Sequence, residues 1–322
     1  MRVPLAKLIA WRIVLGFVTL LLVSAVIFLA TNALPGDPAR AILGTRATPQ
    51  ALAELREQLG LDRPLVTRYF SWLGATVQGD LGSSLAGMKR PVSDVIGRRL
   101  YNSAILVVLA ALVSVPISMG IGAYTALKRD TKLDGGVTLG TLTLSAMPEF
   151  VIGIAAILLL STQVLHLLPA TARLDQYTPL SQQLDKFVLP VLTLTLAVLP
   201  YIVRMMRAST IEVLESEYVS MARLKGVPEP LVMRRHTVPN AVVPAIQGTA
   251  MQLAWLAGGI VVVEYLFAYP GIGSALVEAV ANRDYPVIQA LALIMAATYV
   301  FLNLAADILT ILITPRLRTG LR

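Results

Sequence analysis

Six long runs of apolar residues alternate with polar stretches along this chain. A helix of about 20 mainly apolar residues crosses roughly 30 Å of hydrocarbon, and each run reaches that length. The runs occupy residues 11–31, 100–127, 137–163, 187–206, 241–263 and 286–313. The pattern predicts an all-α, polytopic membrane protein with six transmembrane helices.

Positive charges, Arg2, Lys7 and Arg12, precede or begin the first run, as they would in a secretory signal peptide. Such a core has about 7–15 residues and leads to small residues at a cleavage site. Here the run is longer, and the segment after it reads Leu34-Pro35-Gly36-Asp37. We therefore expect the first run to be retained as a transmembrane helix.

The stretch between the first two runs is predicted to begin with a short amphipathic helix. Thr48 fits the N-cap, Pro49 fits the first helical position, and Gly60 fits the position after the last turn. Leucines recur between them at helical spacing, which predicts one apolar side.

A second short helix is predicted from Pro64, with Tyr69 and Trp72 along it, and the segment Gly79-Asp80-Leu81-Gly82 ends it. In one interpretation both helices lie on the bilayer surface, with Tyr69 and Trp72 as interfacial anchors. In the other, this outer loop docks an external partner through Tyr69, Trp72 and Asp80. The residues alone leave both interpretations open.

The stretch from about 207 to 240, between the fourth and fifth runs, is basic and is interrupted by glycine and proline. A helix over residues 211–224 is predicted, with Gly226 ending it and Pro239 starting the next helix. One side of this helix would carry Ile211, Leu214, Tyr218, Met221, Ala222 and Lys225. Such a helix can fill a groove in a partner subunit, or the basic loop can bind anionic lipid headgroups.

Composition agrees with a membrane protein and narrows the chemistry. Hydrophobic residues make up 56% of the chain and charged residues 14%, whereas a soluble domain has about 25% charged residues. The excess apolar surface is therefore expected to face lipid. Cysteine is absent, which excludes disulfides and thiolate sites.

The distribution of Lys and Arg predicts that both termini lie in the cytoplasm, because cytoplasmic loops of membrane proteins are enriched in positive charge. With the N-terminus inside, the cytoplasmic cations are Arg2, Lys7, Arg12, Lys128, Arg129, Lys132, Arg204, Arg207, Arg223, Lys225, Arg234, Arg235, Arg316, Arg318 and Arg322. The two short outer loops then contain only Arg173, Lys186 and Arg283. The first outer loop is too long to count under this rule.

Catalytic, cofactor and metal sites are not expected on this chain. Its two histidines, His166 and His236, fall on opposite sides of the membrane in the predicted topology, so no metal site or Ser–His pair can use both. The sequence also lacks the Gly-x4-Gly-Lys loop that binds the phosphates of ATP.

From Glu217 onward the chain reads EYVSMARLKGVPEPLVMRRHTVPNAVVP, which resembles the coupling loop of bacterial ABC importer permeases. In their EAA-x3-G-x9-I-x-L-P pattern, Ala222, Gly226 and Pro239 match the second Ala, the Gly and the final Pro. Where the pattern has Glu, Ala, Ile and Leu, this chain has Ser220, Met221, His236 and Val238. The dipeptide/oligopeptide/nickel branch is more similar, since its permeases typically read like Tyr218-Val219-x-x-Ala222-Arg223-x-Lys225-Gly226 and then His236-Thr237-x-x-Asn240-Ala241-x-x-Pro244.

Further blocks resemble the "B" type permease subunits of that branch. They are Leu34-Pro35-Gly36-Asp37-Pro38, Leu59-Gly60-Leu61-Asp62-Arg63-Pro64, Gly79-Asp80-Leu81-Gly82, Val263-Glu264-Tyr265-Leu266-Phe267, Tyr269-Pro270-Gly271-Ile272-Gly273, Arg283-Asp284-Tyr285-Pro286, Asn303 and Asp307. Near the C-terminus, Thr314-Pro315-Arg316 stands where the family has Asp-Pro-Arg.

The resemblance implies a type I ABC importer permease of the bacterial inner membrane that forms half of a pathway for di- or oligopeptides. It implies as partners a second permease, two ATPase subunits that carry ATP and Mg, and an external substrate-binding protein. Residues 1–99 would form the first transmembrane helix and the long external loop, and residues 100–322 the five-helix core with the coupling loop. The residues implied in coupling to the ATPases are Glu217, Tyr218, Met221, Ala222, Arg223, Lys225, Gly226, Val227 and His236.

Two alternatives remain at this point. A nickel or glutathione permease of the same family shares these motifs. A proton-coupled secondary transporter would also have several spans and a few buried acids, although it would not need the coupling loop.

Acidic residues inside a span are costly and therefore candidates for function. Glu149, next to Pro148, is a candidate pathway residue that would meet a peptide amino terminus; alternatively it is paired with a cation or protonated. Glu264, at a membrane boundary, is expected to have no special role. Asp307 shares a helix face with Asn303, and both are expected to be structural, with Asp307 contacting Arg204 or Arg207.

Overall fold

The computed structural model of the chain describes residues 5–33, 39, 43, 48–58, 60–86, 90–175 and 177–313. Within these ranges the regular structure is helical, apart from one isolated antiparallel bridge between Ser83 and Pro91. The predicted motif at residues 34–38, Leu59 and the segment Thr314-Pro315-Arg316 lie outside the described residues.

The α-helices of the described ranges are α1 (Leu5–Ala33), α2 (Pro49–Gln58), α3 (Leu65–Val77), α4 (Val92–Leu127), α5 (Lys132–Ser145), α6 (Glu149–Ile157), α7 (Asp185–Leu214), α8 (Glu217–Leu224), α9 (Glu229–Val232), α10 (Val238–Leu266), α11 (Ile272–Ala281) and α12 (Tyr285–Ile313). Four of them, α1, α4, α7 and α12, contain a stretch long and apolar enough to cross a membrane alone. The bent pair α5 and α6 and the bent helix α10 bring the number of candidate spans in the described residues to six. The prediction of an all-α protein with six spans is confirmed.

Helix α7 lies at the centre of the bundle. In its most apolar stretch 61% of the residues are buried, compared with 22% for α4 and 11% for α1. Leu194 and Ile202 are fully enclosed where α7 packs on α4 and α10. A Cβ on Gly122 of α4 would lie only 2.6 Å from the carbonyl oxygen of Val203 on α7, so these two backbones are in direct contact. This packing in the core therefore fixes the position of α7 and of its C-terminal end.

The third apolar run does not form one helix. Helix α5 ends at Ser145, α6 begins at Glu149, and their axes differ by 104°. Pro148 caps α6 with an extended backbone, φ −59° and ψ 147°. Proline has no N–H to continue the ladder of α5, and it disfavours helical backbone in the residue before it. The third run was predicted to form one transmembrane helix, and the structure instead turns by nearly a right angle within it.

The two short helices that were predicted for the outer loop occur at the predicted positions. The Thr48 hydroxyl accepts a hydrogen bond from the N–H of Ala51 at 3.2 Å, and α2 ends before Gly60, which has φ 62°. Helix α3 starts directly after Pro64. The sequence signals for both ends of α2 are thus confirmed.

Helix α3 packs against α1 through its aromatic residues. The Tyr69 and Trp72 rings lie 5.6 and 5.7 Å from the ring of Phe28, centre to centre. The Tyr69 and Ser24 hydroxyls are hydrogen-bonded at 2.8 Å. Tyr69 and Trp72 are therefore half-buried within the chain, while the neighbouring Phe70 is 63% exposed.

The residues that directly follow α3 are held in place by two carboxylates. Asp80 accepts the N–H of Gly82 at 2.9 Å, which closes the tight turn after α3. Asp284, just before α12, is buried and accepts hydrogen bonds from the Ser84 hydroxyl and from the N–H of Leu85 at 3.0 Å. The loop is thereby attached to the start of the last span.

Candidate functional site

The short helix α8 stands between α7 and α9 and presents two different sides. Val219 and Ala222 are buried in a small apolar cluster that also contains Val232. On the other side Tyr218 is 46%, Met221 57% and Leu224 82% exposed. Apolar side chains as exposed as these are available to a partner.

The predicted continuous helix over residues 211–224 is wrong. Helix α7 runs to Leu214, and Ser216 has extended backbone, with φ −71° and ψ 150°, before α8 begins at Glu217. The single apolar side proposed for that helix is also wrong, since Ala222 faces inward and Met221 outward. Val232, which follows Gly226 in the chain, packs on Val219 and Ala222. This contact determines which side of α8 is buried.

Gly226 ends α8 in the left-handed region, with φ 73°. The N–H of Gly226 bonds to the carbonyl of Arg223 at 2.9 Å, and the N–H of Val227 to that of Ala222 at 3.2 Å, which together satisfy the last turn. A Cβ at Gly226 would meet nothing within 4 Å. Glycine is therefore required at this position because the backbone is left-handed there. A lack of space for a side chain within this chain is excluded as the reason.

An ion pair closes the turn after α8. The Arg223 guanidinium donates to the Glu229 carboxylate at 2.6 and 3.1 Å. These hydrogen bonds lower the pKa of Glu229 below its ordinary value and raise the pKa of Arg223. Both side chains are more than 40% exposed, so the pair stabilises the turn only modestly.

The helix after the turn begins earlier than predicted. Pro228 caps α9, which passes through a π-helical turn (Met233–Thr237) directly into α10. Pro239, expected to start the helix, is the second residue of α10 inside this helical stretch. Proline lacks the N–H that would bond back one turn and its ring needs space there, which a wide π-turn provides.

The remaining predicted coupling residues lie around this elbow, residues 215–240. Glu217, Arg223 and Lys225 are exposed, while Val227 and His236 are half-buried. The His236 carbonyl accepts a hydrogen bond from the Asn240 side chain at 2.6 Å. The structure thus brings the predicted coupling residues together at one end of the bundle.

The membrane-embedded Asp307 has a different partner from the one predicted. Its carboxylate pairs with Arg12 of α1 at 2.8 Å, because α12 packs on α1 and lies away from the end of α7. Asn303 donates to the carbonyl of Tyr299 in its own helix at 2.9 Å. The expected contact of Asp307 with Arg204 or Arg207 is therefore wrong.

Arg207 instead pairs with Asp134, at the start of α5. Two of its nitrogens donate to the two carboxylate oxygens, each at 2.7 Å, and the Asp134 side chain is only 7% exposed. The pair connects the first turn of α5 to the C-terminal part of α7, just before the elbow.

Replacing Arg207 by glutamine is expected to lower the thermal stability of the purified protein. Breaking a fully buried pair costs about 3–5 kcal/mol, and because this pair is partly exposed we expect about 2 kcal/mol. Arg204→Gln is the matched control, since Arg204 is exposed one turn earlier on α7, and we expect a change within about 0.5 kcal/mol. Equal losses in the two variants, measured as unfolding midpoints in detergent, would contradict the assigned role.

Glu264, which was expected at a membrane boundary, has a fully buried side chain. Its carboxylate accepts the Ser103 hydroxyl at 2.5 Å and the N–H groups of Gly273 and Ser274 at 2.7 and 3.3 Å. These donors come from α4 and from the first turn of α11, whose N-terminus favours a negative charge. We call Glu264, Ser103, Gly271, Gly273 and Ser274 the Glu264 cluster.

Two glycines make room for this cluster. A Cβ at Gly271 would lie 2.1 Å from a carboxylate oxygen of Glu264, and one at Gly273 would lie 2.4 Å from the Cα of Val261. The sequence carried a signal for this site in the Pro270-Gly271-Ile272-Gly273 segment that follows Glu264. Paired glycines often mark a close approach of the backbone.

The comparisons with known proteins agree with this architecture. The family described as binding-protein-dependent transport system inner membrane component matches residues 118–319, and its N-terminal counterpart matches residues 5–119. The glutathione transport system permease protein GsiC of Salmonella typhimurium (strain LT2) is 37% identical over 301 residues, which cover 93% of this chain and 95% of that protein. GsiC of Escherichia coli (strain K12) gives the same identity and coverage.

These matches extend over both parts of the chain and include all six spans. The protein is accordingly a multi-pass inner membrane transport subunit, which agrees with its apolar helices. It belongs to the inner membrane permeases of ABC importers, in the peptide and nickel family.

Proposed function

We propose that this chain forms half of the translocation pathway of an ATP-driven importer of di- or oligopeptides. The observation that carries the proposal is the elbow at the end of α7, where Tyr218, Met221 and Leu224 are exposed on one side of α8. This apolar side of α8 fits a groove on an ATPase subunit. Gly226 sets the direction in which the chain continues after α8. Glu217, Ala222, Arg223, Lys225, Val227 and His236 shape or flank the same surface.

The elbow lies on the cytoplasmic side in the proposed topology. Both termini are then cytoplasmic, as the distribution of Lys and Arg favours. ATP and Mg are bound by two separate ATPase subunits, and no cofactor is bound by this chain. A second permease completes the pathway, and an extracytoplasmic binding protein delivers cargo to the outer side, where the loop with Tyr69, Trp72 and Asp80 lies.

Peptides are the proposed cargo class, and glutathione belongs to it. The relatives reported above are named as glutathione transport permeases, which supports a small peptide-like cargo. Nickel is the alternative within the same family.

Uptake by the complete transporter in proteoliposomes tests the proposal. With ATP inside and binding protein outside, we expect accumulation of labelled dipeptide or glutathione and no accumulation of nickel ions. The chain reconstituted alone is expected to be inert, with or without a proton gradient. Proton-driven uptake by the chain alone would favour a secondary transporter and contradict the proposal.

A further inference from the structure

Helix α10 leaves one side uncovered within this chain. Its buried side chains, such as Leu256 and Ile260, face α7, whereas Met251 is 62%, Trp255 45% and Tyr265 62% exposed. The exposed residues recur at helical spacing and form one stripe. Trp255 and Tyr265 give this stripe an aromatic character.

Glu149 borders this stripe at the break between α5 and α6. Its side chain is half-buried, and within the described part of the chain no hydrogen bond or ion pair engages its carboxylate. A charged side chain within a span normally faces a water-filled path or a partner charge, because hydrocarbon does not solvate it. The side of the protein that contains Glu149 is therefore unsuited to face lipid.

Gly259 brings Glu149 and Trp255 together. The Cβ position of this glycine lies 3.8 Å from a carboxylate oxygen of Glu149 and 3.7 Å from the six-membered ring of Trp255. Because Gly259 has no side chain, the carboxylate and the indole border one small recess on α10. The recess lies seven residues before Leu266, roughly 10 Å from that end of the helix.

The side chains that border the recess favour the binding of a cation. An indole ring attracts an ammonium or guanidinium group to its face, and a carboxylate forms a charge-assisted hydrogen bond with the same group. The apolar residues of the stripe would exclude most of the competing water. A peptide carries such a group at its amino terminus, as does glutathione.

We propose that Glu149 and Trp255 form a binding site in the translocation pathway for the amino-terminal ammonium group of the cargo. This inference rests on the proposed function. It makes Glu149 a specificity-determining residue of the permease that acts after the binding protein has released the peptide.

Uptake by the complete transporter should separate this role from a structural one. The binding protein is preloaded either with a free-amine dipeptide or with its N-acetylated form, and rates are normalised to the amount of loaded protein. Glu149→Gln is expected to reduce uptake of the free-amine peptide roughly tenfold, the size expected for loss of a charge-assisted hydrogen bond. Uptake of the acetylated peptide should change by less than about twofold, since it has no ammonium group.

Trp255→Leu is expected to reduce free-amine uptake about threefold with the same selectivity, because it removes only the ring. Asp185→Asn and Trp11→Leu are the matched controls, since both side chains are exposed and lie away from the recess. Neither control should change the ratio of the uptake rate of the free-amine peptide to that of the acetylated peptide.

Two outcomes would overturn the inference while leaving the proposed function intact. One is that Glu149→Gln changes the uptake rate of neither peptide. The other is an equal loss for both peptides, which would mean that Glu149 pairs with a cation of the second permease. Failure of the unaltered transporter to import either peptide would instead contradict the proposed cargo class, and the inference with it.

Discussion

Replacing Gly226 by valine is expected to abolish cargo uptake while leaving the chain folded in the membrane. Valine is strained at the φ of 73° that this position adopts, at a cost of about 1–3 kcal/mol. The segment would relieve this strain by changing its turn, since no packing contact within 4 Å fixes the position. Val227 and the following residues would then leave α8 in a different direction, and the exposed surface of Met221 would no longer fit the ATPase subunit.

The measurements are co-purification of the ATPase subunits and ATP-dependent uptake, with the amount of membrane-inserted chain as reference. A graded series is expected, in which Gly226→Asn retains more activity than Gly226→Ala and Gly226→Val the least, because asparagine tolerates left-handed backbone best. Gly79→Val is the matched control, since Gly79 has φ 87° and open space around it but lies in the outer loop. Normal ATPase association and uptake in Gly226→Val would refute the assigned role of the elbow.

Gly271→Ala and Gly273→Ala are expected to cause the largest losses of stability. Each new methyl group would overlap atoms of the Glu264 cluster or of α10, at 2.1 and 2.4 Å. Overpacking of this kind costs about 1–3 kcal/mol, and the buried Glu264 would lose hydrogen bonds in addition. We expect a lower yield of folded protein and a lower unfolding midpoint in detergent.

The two glycines should respond differently to a second substitution. The close contacts of Gly271 are all with the Glu264 side chain, so Glu264→Ala should offset part of the effect of Gly271→Ala. The closest contact of Gly273 is with the backbone of Val261, which Glu264→Ala leaves in place. Gly97→Ala, which meets nothing within 4 Å, is the control and should be neutral. Additive losses in the Gly271 and Glu264 pair would contradict the geometry.

Hydropathy and turn signals were enough to predict the spans and several helix ends. Run length gave the six spans, and Thr48, Pro49 and Gly60 gave the ends of α2, because each signal depends on neighbours a few residues away. Gly226 was predicted as the end of α8 for the same reason. These features need no information about which helices are adjacent.

Contacts between distant segments were not predictable in this way. Asp307 pairs with Arg12, and Arg207 with Asp134, because α12 lies against α1 and α5 against α7. Hydropathy placed Glu264 at a boundary, although α4 and α11 enclose it completely. The orientation of α8 likewise depends on Val232, which returns to it after the turn.

The Glu264 cluster constrains how the transporter can move. Glu264 joins the ends of α4, α10 and α11 through buried hydrogen bonds that are costly to break, so these three ends shift as one rigid body. A rearrangement that exposes the pathway alternately to the two sides then needs a hinge elsewhere in the half-transporter. The right-angled break before Glu149 interrupts the helical hydrogen bonds between α5 and α6, so it is a position at which such a hinge can lie.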